Sequence, residues 1–403
     1  MQDFLGNRVT TASAEAVRLL DTAIDLHAHA WPGALEAAQR AGREDPDLAI
    51  AHALQALIHG MWGRRAAAEA AMSRATSLAA NMSRRERSLV ELLQHVVCGR
   101  TAAALAWLLV HLRQFPGDLL ALTTGMGAYG LFAFSGRDDH NEVRLDLLDE
   151  LEPYFPPGYP WLLAYRGWAR IELGAVAEGL AMARHAIAAR PQNAHNAHIV
   201  AHGLHEALRP TEYLDFIAEW LQQYPDDALM WGHLQWHAAI AELALERQDD
   251  ALRRCVESIM PCLSRGAPFM GLADAASLLW RLGLCGVPNL PWPGVFQHAS
   301  TYFPDGANPF GELHLAMLAA ARQDMPALTA CRQRLERLGA AGSLGAQAAI
   351  AWTLALQEFA QGNEGAVEAH FDACQAHAVR LGGSGAQRSI IAATRQAARL
   401  PAA

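Results

Sequence analysis

The chain has 403 residues, of which 52% are hydrophobic and 18% charged, with a formal net charge of −9. So large an apolar share excludes an intrinsically disordered chain, and an acidic balance without a long basic block excludes the usual footprint of a nucleic-acid binder. The apolar, uncharged stretch Leu119 to Phe134 falls short of the roughly 20 residues a membrane-spanning helix needs. The first ten residues lack the apolar core of a signal peptide. The expectation is therefore a cytoplasmic protein with neither membrane nor nucleic acid as partner.

In chain order the expected elements are all helices, because Ala, Leu, Glu, Arg and Gln dominate and no strand-type alternation of useful length occurs. Residues 1–30 read as an N-terminal helical segment. Within it, Asp25-Leu26-His27-Ala28-His29 superficially matches the metal-binding Asp-x-His-x-His of amidohydrolases. That motif ends a barrel strand, and no strands follow here, so it reads as polar residues on a helix. Residues 31–397 read as one helical repeat domain. Asp47 to Gly60 pairs with Ala66 to Ala79, and Glu86 to Cys98 with Thr101 to Phe115.

Pro157, Pro191 and Pro225 then recur every 34 residues, which is the tetratricopeptide period. Between them lie Trp161 to Leu173 with Val176 to Arg190, and Asn193 to Leu208 with Glu212 to Tyr224. Asp226 to Arg247 and Asp249 to Ser264 repeat the theme. Proline marks each joint because it cannot continue a helix. The segment 286–310, with Pro288, Pro291, Pro293, Pro304 and Pro309, reads as a long loop and a possible lid. Gly345 to Gln361 and Glu364 to Arg380 form a closing pair. The fold expected is all-α: tetratricopeptide-like helix pairs stacked in a right-handed superhelical solenoid. The six cysteines include no Cys-x-x-Cys, so a thiolate zinc site is not expected, and Cys255 and Cys262 read as core.

Six of the 18 histidines fall between residues 195 and 237. His198 and His202 are four apart on one expected helix, and His233 and His237 four apart on the first helix of the next repeat. A four-residue step puts both side chains on one helix face. Counted from the repeat prolines, the two pairs differ in register by one residue; one extra residue in the turn brings them into register on adjacent, packed helices, so the pairs are expected to meet on one surface. Tyr165 and Trp168 hold similar positions one repeat earlier. In tetratricopeptide arrays these positions line the concave groove.

Three readings stay open: hydrogen-bonded histidines without chemistry, a metal site built on His-x-x-x-His pairs, and a metal-free pocket using imidazoles as donors or as acid and base. Against a tight metal site stand the register offset and the lack of negative charge among four neutral imidazoles. Ile199 and Leu234 also stand where a zincin would have its Glu.

Four segments carry a resemblance. They are His198-Ile199-Val200-Ala201-His202, Gly232-His233-Leu234-Gln235-Trp236-His237, Asp274 to Leu282 (Asp-Ala-Ala-Ser-Leu-Leu-Trp-Arg-Leu), and Leu381-Gly382-Gly383-Ser384-Gly385-Ala386-Gln387-Arg388. Phe310-Gly311-Glu312-Leu313-His314 adds a weaker one. Over roughly residues 45–395 the chain resembles the tetratricopeptide-repeat protein 38 family, also called StaR-like. It departs from the family pattern at His205 (Glu there), Leu234 (Asn), Gln235 (Trp), Gly385 (His) and Ser389 (Asp). The resemblance implies a repeat solenoid and adds Asp274, Arg281 and His314 to the site, but no reaction.

The candidates for chemistry are thus His198, His202, His233, His237, Asp274 and His314. Trp161, Tyr165 and Trp168 are expected as an apolar wall. His195, His205, Glu206, Trp236 and Arg281 are expected as further ligand contacts. The expected function is binding of a small molecule or peptide in a His-rich concave groove. The alternatives are an enzyme of unknown reaction, possibly metal-assisted, and a protein–protein scaffold. No metal and no particular cofactor is expected.

Overall fold

The computed structural model describes residues 1–399, apart from the side chains of residues 364–366. Among the described residues every regular element is helical, with one isolated bridge between Gln2 and Arg8. No described helix is long and apolar enough to cross a membrane. The helices pair through short turns, as in tetratricopeptide repeats. Contacts divide the chain into two compact units: Met1–Phe132 with Glu142–Val200, and Ala133–Asn141 with Ala201–Ala403. This differs from the single run from residue 31 that the sequence suggests.

The first unit contains α1 (Ala14–Ala28), α2 (Ala34–Glu44), α3 (Ala49–Met61), α4 (Arg65–Ser77), α5 (Arg84–Val97), α6 (Thr101–Gln114) and α7 (Leu119–Gly125). Most of α8 (His140–Leu151), then α9 (Pro160–Glu172) and α10 (Val176–Ala189), complete it. Helix α1 packs against α2, so residues 1–30 belong to the first helix pair instead of standing apart. The α9–α10 pair is tight because glycines face each other. A Cβ on Gly167 would lie 2.7 Å from the Gly179 carbonyl oxygen. All three repeat prolines fall in turns between helices.

Helix α11 (Ala194–Glu206) is continuous, and the division between units passes through it after Val200. The second unit continues with α12 (Pro210–Leu221), α13 (Trp231–Ala244), α14 (Gln248–Arg254), α15 (Cys262–Arg265), α16 (Pro268–Leu284) and α17 (Trp292–Tyr302). It ends with α18 (Pro309–Ala321), α19 (Met325–Ala340), α20 (Ala346–Gln361), α21 (Glu364–Gln375) and α22 (Gly385–Ala398). One core joins Trp236, Leu278, Leu279 and Val295, and a second gathers around Trp352 and Phe371.

Two expectations here are corrected. The segment 286–310 is not a loop, since α17 occupies its middle with Val295, His298 and Ala299 buried. Pro291 caps that helix, Pro293 sits in its first turn and Pro309 begins α18. These are positions where the fixed φ of proline suits a helix start, so the prolines announced helices instead of a lid. Conversely, 249–264 is no single helix. Past α14 it takes a π-turn at Cys255–Ile259, and α15 begins only after Pro261.

Candidate functional site

The site assembles in the second unit around α13. Helix α11 begins three residues after Pro191, whereas α13 begins six after Pro225, behind a longer turn. Distance from the proline therefore does not measure helix register, and the one-residue offset does not keep the histidines apart. His202 meets His237 edge-on with ring centroids 4.5 Å apart, and His233 meets His237 in the same manner at 4.8 Å. His198 is carried one turn before His202 on the same rigid helix. One ring nitrogen from each of His202, His233 and His237 lies within 4.8 Å of the others, and all three residues are buried.

Neighbours fix the ring orientations. Nδ1–H of His233 donates to Oδ1 of Asp274 on α16 at 2.8 Å, leaving Nε2 turned away from the carboxylate. His233 also stacks on Trp236, at 5.5 Å and 5° between planes. The Trp236 indole N–H donates to Ser277 Oγ at 3.0 Å. The Tyr213 hydroxyl, from α12, hydrogen-bonds Nδ1 of His237. Burial pushes the Asp274 carboxyl up, and His233 pulls it part of the way back. Burial drives His202 well below the ordinary imidazole range, helped by His233, His205 and Arg388. Burial also pushes His205 down to about 4, helped by Arg281, and keeps the Tyr213 phenol protonated. His202 is thus held in its neutral form.

His314 is not one of the three. Its Nδ1–H donates to the Phe310 carbonyl at 2.8 Å, and burial lowers it to about 4, with Arg281 contributing. Arg281 itself is 8% exposed. It donates to the carbonyls of Ser277 and Ala386 and to Ser389 Oγ, and lies 5.6 Å over the Trp236 ring. No carboxylate among the described residues pairs with it. Burial pushes its pKa down to about 9. Glu206, at the end of α11, is half-buried.

The expected apolar wall is elsewhere. Trp161, Tyr165 and Trp168 are 1%, 3% and 1% exposed, inside the first unit. Trp161 donates to the Ala28 carbonyl at 2.8 Å and packs on Tyr165; Tyr165 lies near His195, and Trp168 near His198. Their hydrophobic area is spent on the interior, so they do not form an open wall. The Asp25 to His29 stretch is structural, as expected: His29 bonds the Asp25 carbonyl and Arg190 pairs with Asp25. Of the family departures, Leu234 is core, and Gln235 accepts from Arg254, which also pairs with Glu242.

Sequence reasoning missed Tyr213 and a small cleft. No spacing links Tyr213 to the histidine pairs. The cleft, with about 20 Å³ of room, is lined by Asp226, Asp227, Gly232, His233, Cys262 and Asp274 among others. It has space for about one water and reaches the His233–Asp274 pair. Cys262, read from the sequence as core, is half-buried at its edge.

No family model matches the sequence. Among solved structures, the chain is similar to a human IFIT1 dimer with PPP-AAAA, at 13% identity over 96% of this chain and 86% of that one, TM-score 0.47. It is similar to a human IFIT1 dimer with m7Gppp-AAAA, at 14% identity over 91% of each chain, TM-score 0.45. It is also similar to yeast Tom70, at 12% identity over 86% of this chain and 89% of that one, TM-score 0.43. Likenesses this distant carry no ligand, partner or activity over to this chain.

Proposed function

We propose that this protein is a cytoplasmic helical-repeat binding protein of the StaR-like kind, and that its histidine-lined interior takes a small anionic molecule or the carboxylate end of a peptide. The observation that supports this most is Arg281. A buried guanidinium with no carboxylate partner is an uncompensated charge, which is costly unless something supplies the counter-charge. Neutral imidazoles cannot supply it, but they and the Tyr213 hydroxyl can donate to an anion held beside it.

The test is calorimetric titration with inorganic phosphate, with trialanine, and with trialanine amide. Binding of phosphate or trialanine, at least tenfold weaker for the amide and lost in Arg281→Gln, supports the reading. Absence of both heat and thermal stabilisation with either anion on the wild-type protein overturns it.

A second reading, an enzyme of unestablished reaction, is favoured by the Asp274–His233 pair. A carboxylate that accepts from Nδ1–H makes the other ring nitrogen more basic. It predicts slow hydrolysis of a phosphate ester such as p-nitrophenyl phosphate that disappears in His233→Ala.

A further inference from the structure

We infer that His202, His233 and His237 form a binding site for one divalent transition-metal ion, of the zinc, cobalt, nickel or copper class. The inference rests on the reading above only in placing the function in the buried cluster.

Three observations carry it. The first is the donor set. Three imidazoles, on α11 and α13, bring one nitrogen each within 4.8 Å of the others, and a fourth position stays open. Tetrahedral zinc at its usual nitrogen distances asks for nitrogens roughly 3.3 Å apart, so side-chain torsions must close the gap by about 1.5 Å at most. Nitrogen donors select these ions over magnesium and calcium, which take oxygen. The second is the outer shell. Asp274 accepts from Nδ1–H of His233, the carboxylate–histidine arrangement that orients metal-binding imidazoles. Tyr213 stands in the same relation to His237: with Nδ1–H donating to the phenol oxygen, Nε2 remains as the ligand atom. The third is a way in. The cleft beside His233 and Asp274 is lined by Asp226 and Asp227 against one cation, Arg265, which pairs with Asp226, so its lining keeps an excess of carboxylate that favours a cation on its approach.

The charge balance tells where the site is incomplete. Imidazole ligands bring no negative charge, so with Asp274 a divalent ion keeps one positive charge, and Arg281 adds another. An anion beside the ion restores neutrality. This is why the expectation against a metal, which rested on the register offset and the missing negative charge, loses its first ground and has its second met.

The experiment uses the full chain, purified without a metal column, stripped with chelator and titrated with cobalt(II). The expected result is a visible d–d absorption that saturates at one equivalent, and an unfolding midpoint several degrees higher with one equivalent of zinc. His202→Ala and His237→Ala should lose the band, while the exposed His185→Ala keeps it. Asp274→Asn should weaken binding 10- to 100-fold, as loss of an outer-shell partner does. Absence of the band and of thermal stabilisation in wild-type protein overturns the inference, whether or not the variants fold. So does a band that survives both histidine variants. Phosphate titration of the stripped and the loaded protein separates this inference from the anion reading. Phosphate binding without cobalt binding sinks only the metal site, and cobalt binding without phosphate binding in either form sinks only the anion.

Discussion

Each unit buries a polar cluster, and the two are built on opposite terms. In the first unit Arg85 donates to Asp118 at 2.7 Å and reaches Asp3 at 3.4 Å. His111 bonds Asp118 through Nε2 and Ser88 through Nδ1. Asp118 also caps α7. Every charge there has an opposite beside it. In the second unit His202, His233 and His237 gather beside a single carboxylate, Asp274, which bonds His233 alone, and Arg281 has none. A closed network rigidifies a fold, whereas one that does not balance asks for something from outside. Charge closure, more than burial, separates a structural polar cluster from a functional one.

The largest effect should come from opening the closed network. Asp118→Asn leaves Arg85 as a buried charge with only the more distant Asp3, and should cost about 3–5 kcal/mol in urea unfolding. Asp274→Asn should cost far less, because it strands no guanidinium and its amide oxygen can still accept from His233 Nδ1–H. Equal losses in the two variants would erase the distinction.

Acid should act on the two clusters in different windows. Burial lowers His314 from 6.5 to about 4. The unfolded chain therefore binds more protons between those values, and stability present above pH 6.5 is lost as pH falls toward 4. That amounts to at most about 3 kcal/mol from this group. His205 acts in the same direction, as does His27 in the first unit. Burial pushes Asp118 up, but Arg85 and His111 outweigh it and hold it well below the carboxylate range. Its contribution is lost only at more acid pH. His314→Asn, which can still donate to the Phe310 carbonyl, should flatten the stability profile between pH 6.5 and 4. An unchanged slope there would show that His314 titrates normally.

The sequence carried the helices and the histidine pairs because both depend on local spacing. Proline intervals and four-residue steps are set by backbone geometry alone. It carried the meeting of the pairs as an expectation from the repeat register, with the length of the turn before Trp231 as the deciding unknown. It did not carry Tyr213, whose role comes from α12 packing on α13. Trp161 and Trp168 misled for a related reason: a large aromatic on a repeat's first helix has the same spacing whether it faces a groove or the core. Pro291 and Pro293 misled because proline both breaks helices and begins them.

The smallest effects separate two capping boxes, one in each unit. Ser83 accepts from the N–H of Glu86, whose carboxylate takes the Ser83 N–H and is also held by Thr10. Ser384 accepts from the N–H of Gln387, whose side chain takes the Ser384 N–H. Ser83→Ala should cost about 0.5–1 kcal/mol, because Glu86 keeps its other partners and the cap is near solvent. Ser384 is fully buried. It follows Gly383, whose φ of +68° and 2.4 Å Cβ approach to Phe310 hold the chain in one path. Its alanine variant leaves the Gln387 N–H without an acceptor in the interior, so the cost should reach about 2 kcal/mol. The Arg388 N–H bonds the Ser384 carbonyl, which the substitution retains. Phosphate affinity should therefore stay within twofold of wild type. A larger loss would move the Gly382 to Arg388 segment from holding the fold to holding the ligand.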